Sequence, residues 1–572
     1  MISALLVCLW APFAAATPLR ASDDALLDAA RAELERAATL QLPGQPAPYH
    51  VVYEILDGEV VTVGSAGGAL TSFDHGPYRT ARVEVRVGDE AFDNSNFDVS
   101  FGERDGVRVR GLPHEDVSEA IRRELWLATD AAYKGAAEQL SAKRAAQEGR
   151  QASQLPSLLP IPSLRTPSIR RPSVDAAAMR TRVRALTEAM ESHHWLEESD
   201  ALGRDWQGRR LVLSTEGTEA WLPTGFTVVR VEAVTRAGDG ARLRNVRSWV
   251  AQDVTGLPGS GEMITEVDEM VSWLDALRTA PVERDYLGPV LFESAAAVEF
   301  FRQLALPELS GTPPAAQPPD PYAPGAEVGP PTARVGRRLL PEGWTIVDDP
   351  GGDPGSAGHY IHDFEGAPAT RVELVRDGVV RDLLMSRIPR DGHASSTGHG
   401  RSLGADRRIA LPGAVTVEPP RGRSDRALRR RALALARQAG LSYVLVVRRL
   451  ASPAMSEDFE VAFSGEGPLA GLTRPVEVYR LHTDGREEPV RGLQFVGVDR
   501  RALRDVAMAG DTGPAVGVMD GAPGSQRFSV GTVGGLPASW AVPAVLVTEM
   551  EMRGTAGVEQ RVCPLPPAAA AR

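Results

Sequence analysis

The segment that decides the architecture reads YLGPVLFESAAAVEFFRQL and covers residues 286–304. From Val290 onward its apolar residues recur every three or four positions, which is the spacing of one face of a helix. This spacing predicts a helix over 290–304 that buries its apolar face in a core. The apolar positions are Leu291, Phe292, Ala295, Val298, Phe301 and Leu304. On this interpretation Glu293 is either a solvated side chain or the remnant of an acidic site.

The chain is long enough for more than one hydrophobic core. It has 572 residues, whereas single cores stop growing near about 250–300 residues, so two or three domains are expected. Hairpin patterns mixed with separated helices predict the α+β class. We expect an N-terminal α/β domain with hairpins and long helices over 22–306, and a strand-rich α+β domain over 338–563. A Pro/Ser/Arg-rich strap at 151–174 and a Pro/Gly-rich linker at 307–337 complete this division.

Two local patterns support the N-terminal assignment. The pair Asp57-Gly58 separates the strand patterns of 50–56 and 59–63, and this dipeptide is typical of a hairpin turn. Residues 116–143 have apolar positions at helical spacing and predict a long amphipathic helix. A hairpin at 50–63 followed by a long helix is therefore expected.

Residues 1–16 have the features of a secretory signal peptide. The stretch from Ala4 to Phe13 is apolar but too short to span a membrane. It is followed by small residues up to Ala16, as a cleavage site requires. The sequence therefore predicts cleavage near Ala16 and a periplasmic or secreted protein.

The two cysteines lie near opposite ends of the chain. Cys8 would leave with the signal peptide, and Cys563 would then be the single thiol of the mature protein. An intramolecular disulfide is therefore not expected, and stability must come from packing.

The charge balance argues against two classes of partner. The formal net charge is -12, so bulk attraction to nucleic acid or to anionic lipid is not expected. Arginines concentrate between Arg421 and Arg437, but leucines and alanines at helical spacing make a solvated helix face the favoured interpretation. We expect no nucleic-acid partner and no membrane span.

Six segments occur along the chain in one order. They are 124–134 (ELWLATDAAYK), 286–301, 340–344 (LPEGW), 363–369 (DFEGAPA), 396–401 (STGHGR) and 516–519 (VGVM). Together they resemble the TldD/PmbA family of metallopeptidase-like proteins, once described as modulators of DNA gyrase. The resemblance covers most of the mature chain and implies a peptidase scaffold with two domains.

The resemblance also implies a zinc site that this chain has lost. Active family members hold zinc through the two histidines of an HExxxH motif and a later cysteine, and the motif glutamate polarises the attacking water. Here Glu293 matches the glutamate, whereas the ligand positions are Phe292, Ala297 and Met519. Phenylalanine and alanine offer no donor atom, and a thioether is a poor zinc ligand. We expect no bound metal or other cofactor, with Glu293 as a vestige of the catalytic residue.

These substitutions predict a non-catalytic partner or pseudo-peptidase that pairs with a TldD/PmbA-like homologue as a homodimer or heterodimer. A peptide or an unfolded protein is the implied substrate class. Two alternatives stay open, namely a peptide-binding protein without catalysis and an active metallopeptidase with its metal held elsewhere. The histidines available for the second alternative are His359, His362, His393 and His399.

Overall fold

The computed structural model describes residues 24–97, 105–148, 155–316, 333–404, 406–452, 471–520 and 535–554. The predicted signal peptide, both cysteines and half of the predicted linker lie outside these ranges. The predicted α+β class is confirmed, because helices and largely antiparallel strands build separate layers.

Among its described residues, the N-terminal part has a six-stranded antiparallel sheet and four helices. Its elements are α1 (Ala25–Ala37), β1 (Pro48–Ala66), β2 (Ala69–Val87), β3 (Val107–Gly111), α2 (Ser118–Gln147), α3 (Ala176–Glu188), β4 (Glu198–Ser214), β5 (Glu219–Arg236), β6 (Arg242–Ala251) and α4 (Ser260–Thr279). The strand order is β3-β2-β1-β4-β5-β6. Helix α2 corresponds to the long helix predicted over 116–143.

The two faces of this sheet have different neighbours. Side chains alternate between the faces along each strand, so adjacent residues contact different layers. Val229 packs into the core beneath α3 and α4. Val228 and Val250 point the other way and contact Ala357 and Met519 of the C-terminal part. The sheet therefore lies between the helices and the C-terminal part.

The predicted hairpin turn at Asp57-Gly58 is wrong. Strand β1 continues through this pair, and the turn lies at Gly67 and Gly68, both with positive φ (52° and 74°). Asp57 instead accepts hydrogen bonds of 2.9 Å from Arg79 on β2 and Arg209 on β4. Burial alone would raise the pKa of Asp57, but these guanidinium groups hold it below its usual value. The ion pairs of Asp57 with two arginines inside the sheet therefore outweigh the preference of the Asp-Gly pair for a turn.

The C-terminal part contains two larger sheets and three helices among its described residues. Its elements are β7 (Tyr286–Phe292), α5 (Ser294–Leu304), α6 (Leu306–Leu309), β8 (Thr345–Asp348), β9 (Val372–Arg376), β10 (Val379–Val380), β11 (Gly400–Arg401), β12 (Ile409–Ala410), β13 (Ala414–Glu418), α7 (Asp425–Gln438), β14 (Tyr443–Leu450), β15 (Pro475–His482), β16 (Glu487–Val490), β17 (Leu493–Phe495), β18 (Val506–Thr512), β19 (Val516–Asp520), β20 (Leu536–Ala541) and β21 (Pro543–Gly554). One sheet has the order β10-β9-β8-β13-β20-β19. The other has the order β16-β15-β14-β7-β21-β17, and β18 also pairs with β21.

Strand β7 belongs to the C-terminal part of the fold. It pairs in parallel with β14 and antiparallel with β21. The helix that follows, α5, packs in a core shared by side chains of both sheets. Residues 286–304 thus lie with the C-terminal strands, although the sequence-based division placed the boundary later, at 307–337. The pairing partners are distant in sequence, which explains why composition alone pointed to the proline-rich segment.

Candidate functional site

The candidate site is the junction between β7 and α5. The sequence predicts one helix from Val290 onward, but Val290, Leu291 and Phe292 form the end of β7 beside Leu445, Val446 and Val447 of β14. A short apolar run fits a buried strand as well as a helix, so periodicity alone did not separate the two. Glu293 is extended (φ -73°, ψ 165°) and precedes the first turn of α5. Glu293, the candidate catalytic residue, therefore lies at the junction between β7 and α5.

Phe292 and Ala297 are core residues. Both are fully buried. The ring of Phe292 lies 4.9 Å from that of Phe300 and 6.0 Å from that of Phe495, measured between centroids. Such aromatic contacts contribute beyond the burial of area alone. The two positions that the resemblance matches to motif histidines thus hold part of the hydrophobic core.

Glu293 is held in a network of charged and polar groups. Its carboxylate accepts hydrogen bonds from Arg429 Nη2 at 2.8 Å, Arg448 Nε at 3.2 Å and the Tyr479 hydroxyl at 2.7 Å. Glu487 accepts from the same two arginines and closes the network. Burial and the adjacent Glu293 carboxylate raise the pKa of Tyr479, so its hydroxyl remains a donor.

The basic run between Arg421 and Arg437 contributes to this network. Helix α7 buries Leu428, Ala432 and Ala436. Arg429 is half-buried and turned toward Glu293 and Glu487. The predicted solvated face therefore describes only part of α7. The ion pairs of Arg429 with Glu293 and Glu487 were not predicted from the sequence.

Arg302 joins α5 to β19 in a second buried network. Its guanidinium donates to Asp520 Oδ1 (2.8 Å from Nε, 2.6 Å from Nη2), to the carbonyl of Met519 at 2.6 Å and to Glu299. Asp520 also accepts from the indole N–H of Trp540 at 2.9 Å. Burial favours the neutral guanidine, but Asp520 and Glu299 raise the pKa of Arg302 above its usual value. Arg302 is therefore a permanent internal cation.

The side chains at the three inferred ligand positions do not share one cavity. Met519 is buried against Val228, Val250 and Ala357. Its neighbour Asp520 points toward α5 instead, because adjacent residues of a strand face opposite sides. Asp520 was not predicted from the sequence, although strand alternation around Met519 could have indicated it.

The residues present do not fit the zinc ion that the resemblance implies. Phe292 and Ala297 supply no donor atom, and the Met519 thioether lies in a separate apolar cluster. Within the described ranges, no group of three or more His, Cys, Asp or Glu side chains could hold a metal ion.

The four histidines of the alternative metal site do not form one group of metal ligands in the described part of the chain. His359 Nδ1 lies 2.8 Å from the carbonyl oxygen of Pro350. His393 Nε2 lies 3.3 Å from Asp382 Oδ1, in a different turn. His359 and His362 line the same cleft. His399 is fully buried in the C-terminal part.

His399 belongs to a buried polar cluster. Its Nδ1 lies 2.9 Å from Thr397 Oγ1, and its Nε2 lies 3.7 Å from Asp348 Oδ2. Burial, with Arg401 nearby, lowers the pKa of His399 to about 3. Burial raises the pKa of Asp348 to about 6, despite hydrogen bonds from two backbone N–H groups. His399 is thus neutral in the folded protein at neutral pH.

This cluster predicts a pH effect on stability. The folded pKa of His399, about 3, lies below its ordinary value of 6.5, so the unfolded chain binds a proton first. Its contribution to stability is therefore present above about pH 6.5 and is lost as the pH falls toward about 3. We expect His399→Gln to reduce the dependence of the denaturant midpoint on pH across this window. His194→Gln, at an exposed position, is the control, and an unchanged profile in His399→Gln would contradict the assignment.

No helix among the described residues is both long enough and apolar enough to cross a membrane.

Comparisons with known proteins place this geometry in a family. Residues 287–554 match the family model of the PmbA/TldA metallopeptidase C-terminal domain. No curated protein matches the chain.

Solved structures share the fold over 92% of this chain. TldE from Thermococcus kodakarensis has a TM-score of 0.58 and 13% identity, with 100% of that chain covered. A protein described as a candidate modulator of a DNA gyrase from Thermotoga maritima has a TM-score of 0.58 and 12% identity, with 99% covered. A similarly described protein from Bacteroides thetaiotaomicron has a TM-score of 0.56 and 9% identity, with 98% covered. Residues 287–554 thus form a C-terminal domain of the PmbA/TldA metallopeptidase family, which supports the resemblance of this chain to TldD/PmbA proteins.

Proposed function

We propose that this chain is a non-catalytic member of the family, a pseudo-peptidase that acts beside a zinc-binding homologue. The observation that carries the proposal is the network of ion pairs around Glu293, whose side chain is 30% exposed. Its carboxylate accepts from Arg429, Arg448 and Tyr479. A general base must instead reach the proton of a water molecule or substrate.

The core residues beside Glu293 support the same proposal. A metallopeptidase needs an open coordination position for water next to its general base. In this chain Phe292 packs against Phe300 and Phe495, and Ala297 is fully buried. These side chains without donor atoms, at the positions that the resemblance matches to motif histidines, support the proposal.

The proposed partner is a homologue that retains the HExxxH motif, in a homodimeric or heterodimeric arrangement of the kind that the family resemblance implies. In such an assembly this chain would contribute structure around the substrate path, while the partner would supply the metal. Peptides or unfolded proteins are the proposed substrate class. We further propose a periplasmic or secreted location, supported by the apolar sequence before Ala16.

The proposal predicts the behaviour of Glu293→Gln. The full chain, supplied with zinc, should not hydrolyse an unstructured fluorogenic peptide, and the variant should behave in the same way. The glutamine cannot neutralise Arg429 and Arg448, so we expect the variant to lose about 1–3 kcal/mol of unfolding free energy. Glu549→Gln, at an exposed position of β21, is the matched control and should change neither property.

Zinc-dependent turnover that disappears in Glu293→Gln but persists in Glu549→Gln would contradict the proposal. It would identify Glu293 as a working general base. Turnover that persists in Glu293→Gln and disappears when His359 and His362 are replaced would instead favour a metal site at the histidines.

A further inference from the structure

A cleft of about 550 Å³ lies between the N-terminal sheet and the C-terminal part. Its floor is the face of the sheet that carries Arg204 and Trp206 on β4 and Phe226 on β5. Its opposite wall belongs to the C-terminal part and carries Tyr360 and, from β11, Arg401. The volume lies within the range of small-molecule sites, which often occur between domains.

The floor of the cleft is aromatic. Trp206 lies between two other rings, with centroids 6.2 Å from Tyr78 at an interplanar angle of 89° and 6.4 Å from Phe226 at 35°. Trp206 is 7% exposed, and its indole N–H has no hydrogen-bond partner among the described residues. Gly208, on the same face of β4, leaves the floor beside this ring free of a side chain. The surface suits a flat apolar ring and offers it a polar edge.

Two arginines of the cleft have no ion-pair partner in the described part of the chain. Arg204 is half-buried on the same face of β4 as Trp206, and no described residue forms a salt bridge or side-chain hydrogen bond with it. Arg401 is 3% exposed and donates only to the carbonyls of Pro412 and Pro537. Its Nε has no partner within the described ranges. A buried guanidinium without a carboxylate is costly unless an anion approaches it.

The remaining charges do not cancel this excess. Arg210 and Arg82 also line the cleft, but they pair with Glu54 and Glu84 respectively. The carboxylate of Asp253, on the exposed rim, accepts hydrogen bonds from its own loop.

The carboxylates of Asp348 and Asp363, behind Arg401, compensate the positive charge of its guanidinium only in part. Asp348 and Asp363 both accept backbone N–H hydrogen bonds, and burial raises the pKa of each. The Tyr360 hydroxyl and His362 Nδ1 are further polar atoms that lack partners among the described residues. The cleft therefore presents a surplus of donors and positive charge beside an aromatic floor.

We propose that this cleft binds a small ligand that carries a carboxylate or a phosphate group on a flat apolar ring. The ring packs on Trp206 and Phe226, while the oxyanion pairs with Arg204 and Arg401. Charge-assisted hydrogen bonds to both guanidinium groups would replace the missing ion pairs. This site is separate from the network at Glu293, so it can exist whether or not the chain has peptidase activity.

The test is calorimetric titration of the full chain with three probes that share one ring. The probes are 1-naphthoate, 1-naphthyl phosphate and the neutral 1-naphthalenemethanol. We expect saturable binding of at least one anion and binding of the alcohol weaker by about tenfold or more. The preferred anion then decides between a carboxylate and a phosphate ligand. Acetate and inorganic phosphate alone should bind weakly, because they lack the ring.

Arg204→Gln is the informative variant, because Arg204 has no described partner whose loss would disturb folding. It should bind the preferred anion about tenfold more weakly and keep the wild-type denaturant midpoint. Arg242→Gln, at an arginine of β6 outside the cleft, should bind normally. Trp206→Leu should weaken all probes that contain the ring.

Three results would overturn the proposal. They are the absence of saturable binding of either anion, equal binding of the alcohol, and equal effects of Arg204→Gln and Arg242→Gln.

Discussion

Arg302→Met is expected to lower the free energy of unfolding by about 3–5 kcal/mol, the cost of breaking a buried ion pair. The change leaves the carboxylates of Glu299 and Asp520 buried without their counter-charge. It also removes the hydrogen bond to the Met519 carbonyl and thus a link between α5 and β19. Chemical denaturation with the full chain measures the effect.

Two further variants make this prediction specific. Asp520→Asn combined with Arg302→Met should recover part of the loss, because the amide oxygen still accepts from Trp540 and no charge is left at this position. Arg376→Met removes an exposed arginine that pairs with Glu373 and should leave stability unchanged. Equal effects of Arg302→Met and Arg376→Met would show that the buried network does not stabilise the fold.

Phe292→Ala is expected to cost about 3–5 kcal/mol, as for other large aromatic side chains removed from a core. The ring fills space between Phe300 and Phe495 at the end of a central strand, where the surroundings cannot easily collapse. Thermal or denaturant unfolding measures the loss. Since the resemblance matches this position to a motif histidine, this result would support a structural role in place of ligation.

Phe73→Ala is the matched control for this prediction. Phe73 is 48% exposed on β2, so its removal should change stability by less than about 0.5 kcal/mol. A cost for Phe292→Ala no larger than that of Phe73→Ala would mean that the ring does not hold the junction together. The description of Phe292 as a core residue would then fail.

The fold class and the family resemblance could be predicted from the sequence, whereas the bounds of individual helices and strands were predicted less well. The α+β class is confirmed, and the segments at 340–344, 363–369 and 396–401 lie inside the matched C-terminal domain. These features depend on local patterns and motif order, which a single sequence displays directly. The prediction that this helix begins at Val290 was wrong, because a buried strand and a buried helix have similar short apolar runs.

The partners of the site could not be predicted from local sequence. Arg429, Arg448 and Tyr479 lie 136, 155 and 186 residues after Glu293, on three different elements. Their approach is a result of the pairing of β7 with β14 and β21, which no local pattern contains. The side chain of this strand that faces α5 is Asp520, which was not predicted from the sequence.

The central proposal is that this chain has core packing and internal ion pairs in place of the family's metal site. The most direct test is the zinc content of the purified full chain after zinc-supplemented expression and exhaustive dialysis, measured by elemental analysis. The account predicts far less than about one zinc per chain, because Phe292, Ala297 and Met519 offer no set of donors. About one tightly held zinc per chain would contradict it, most clearly if the zinc were lost in a variant without His359 and His362.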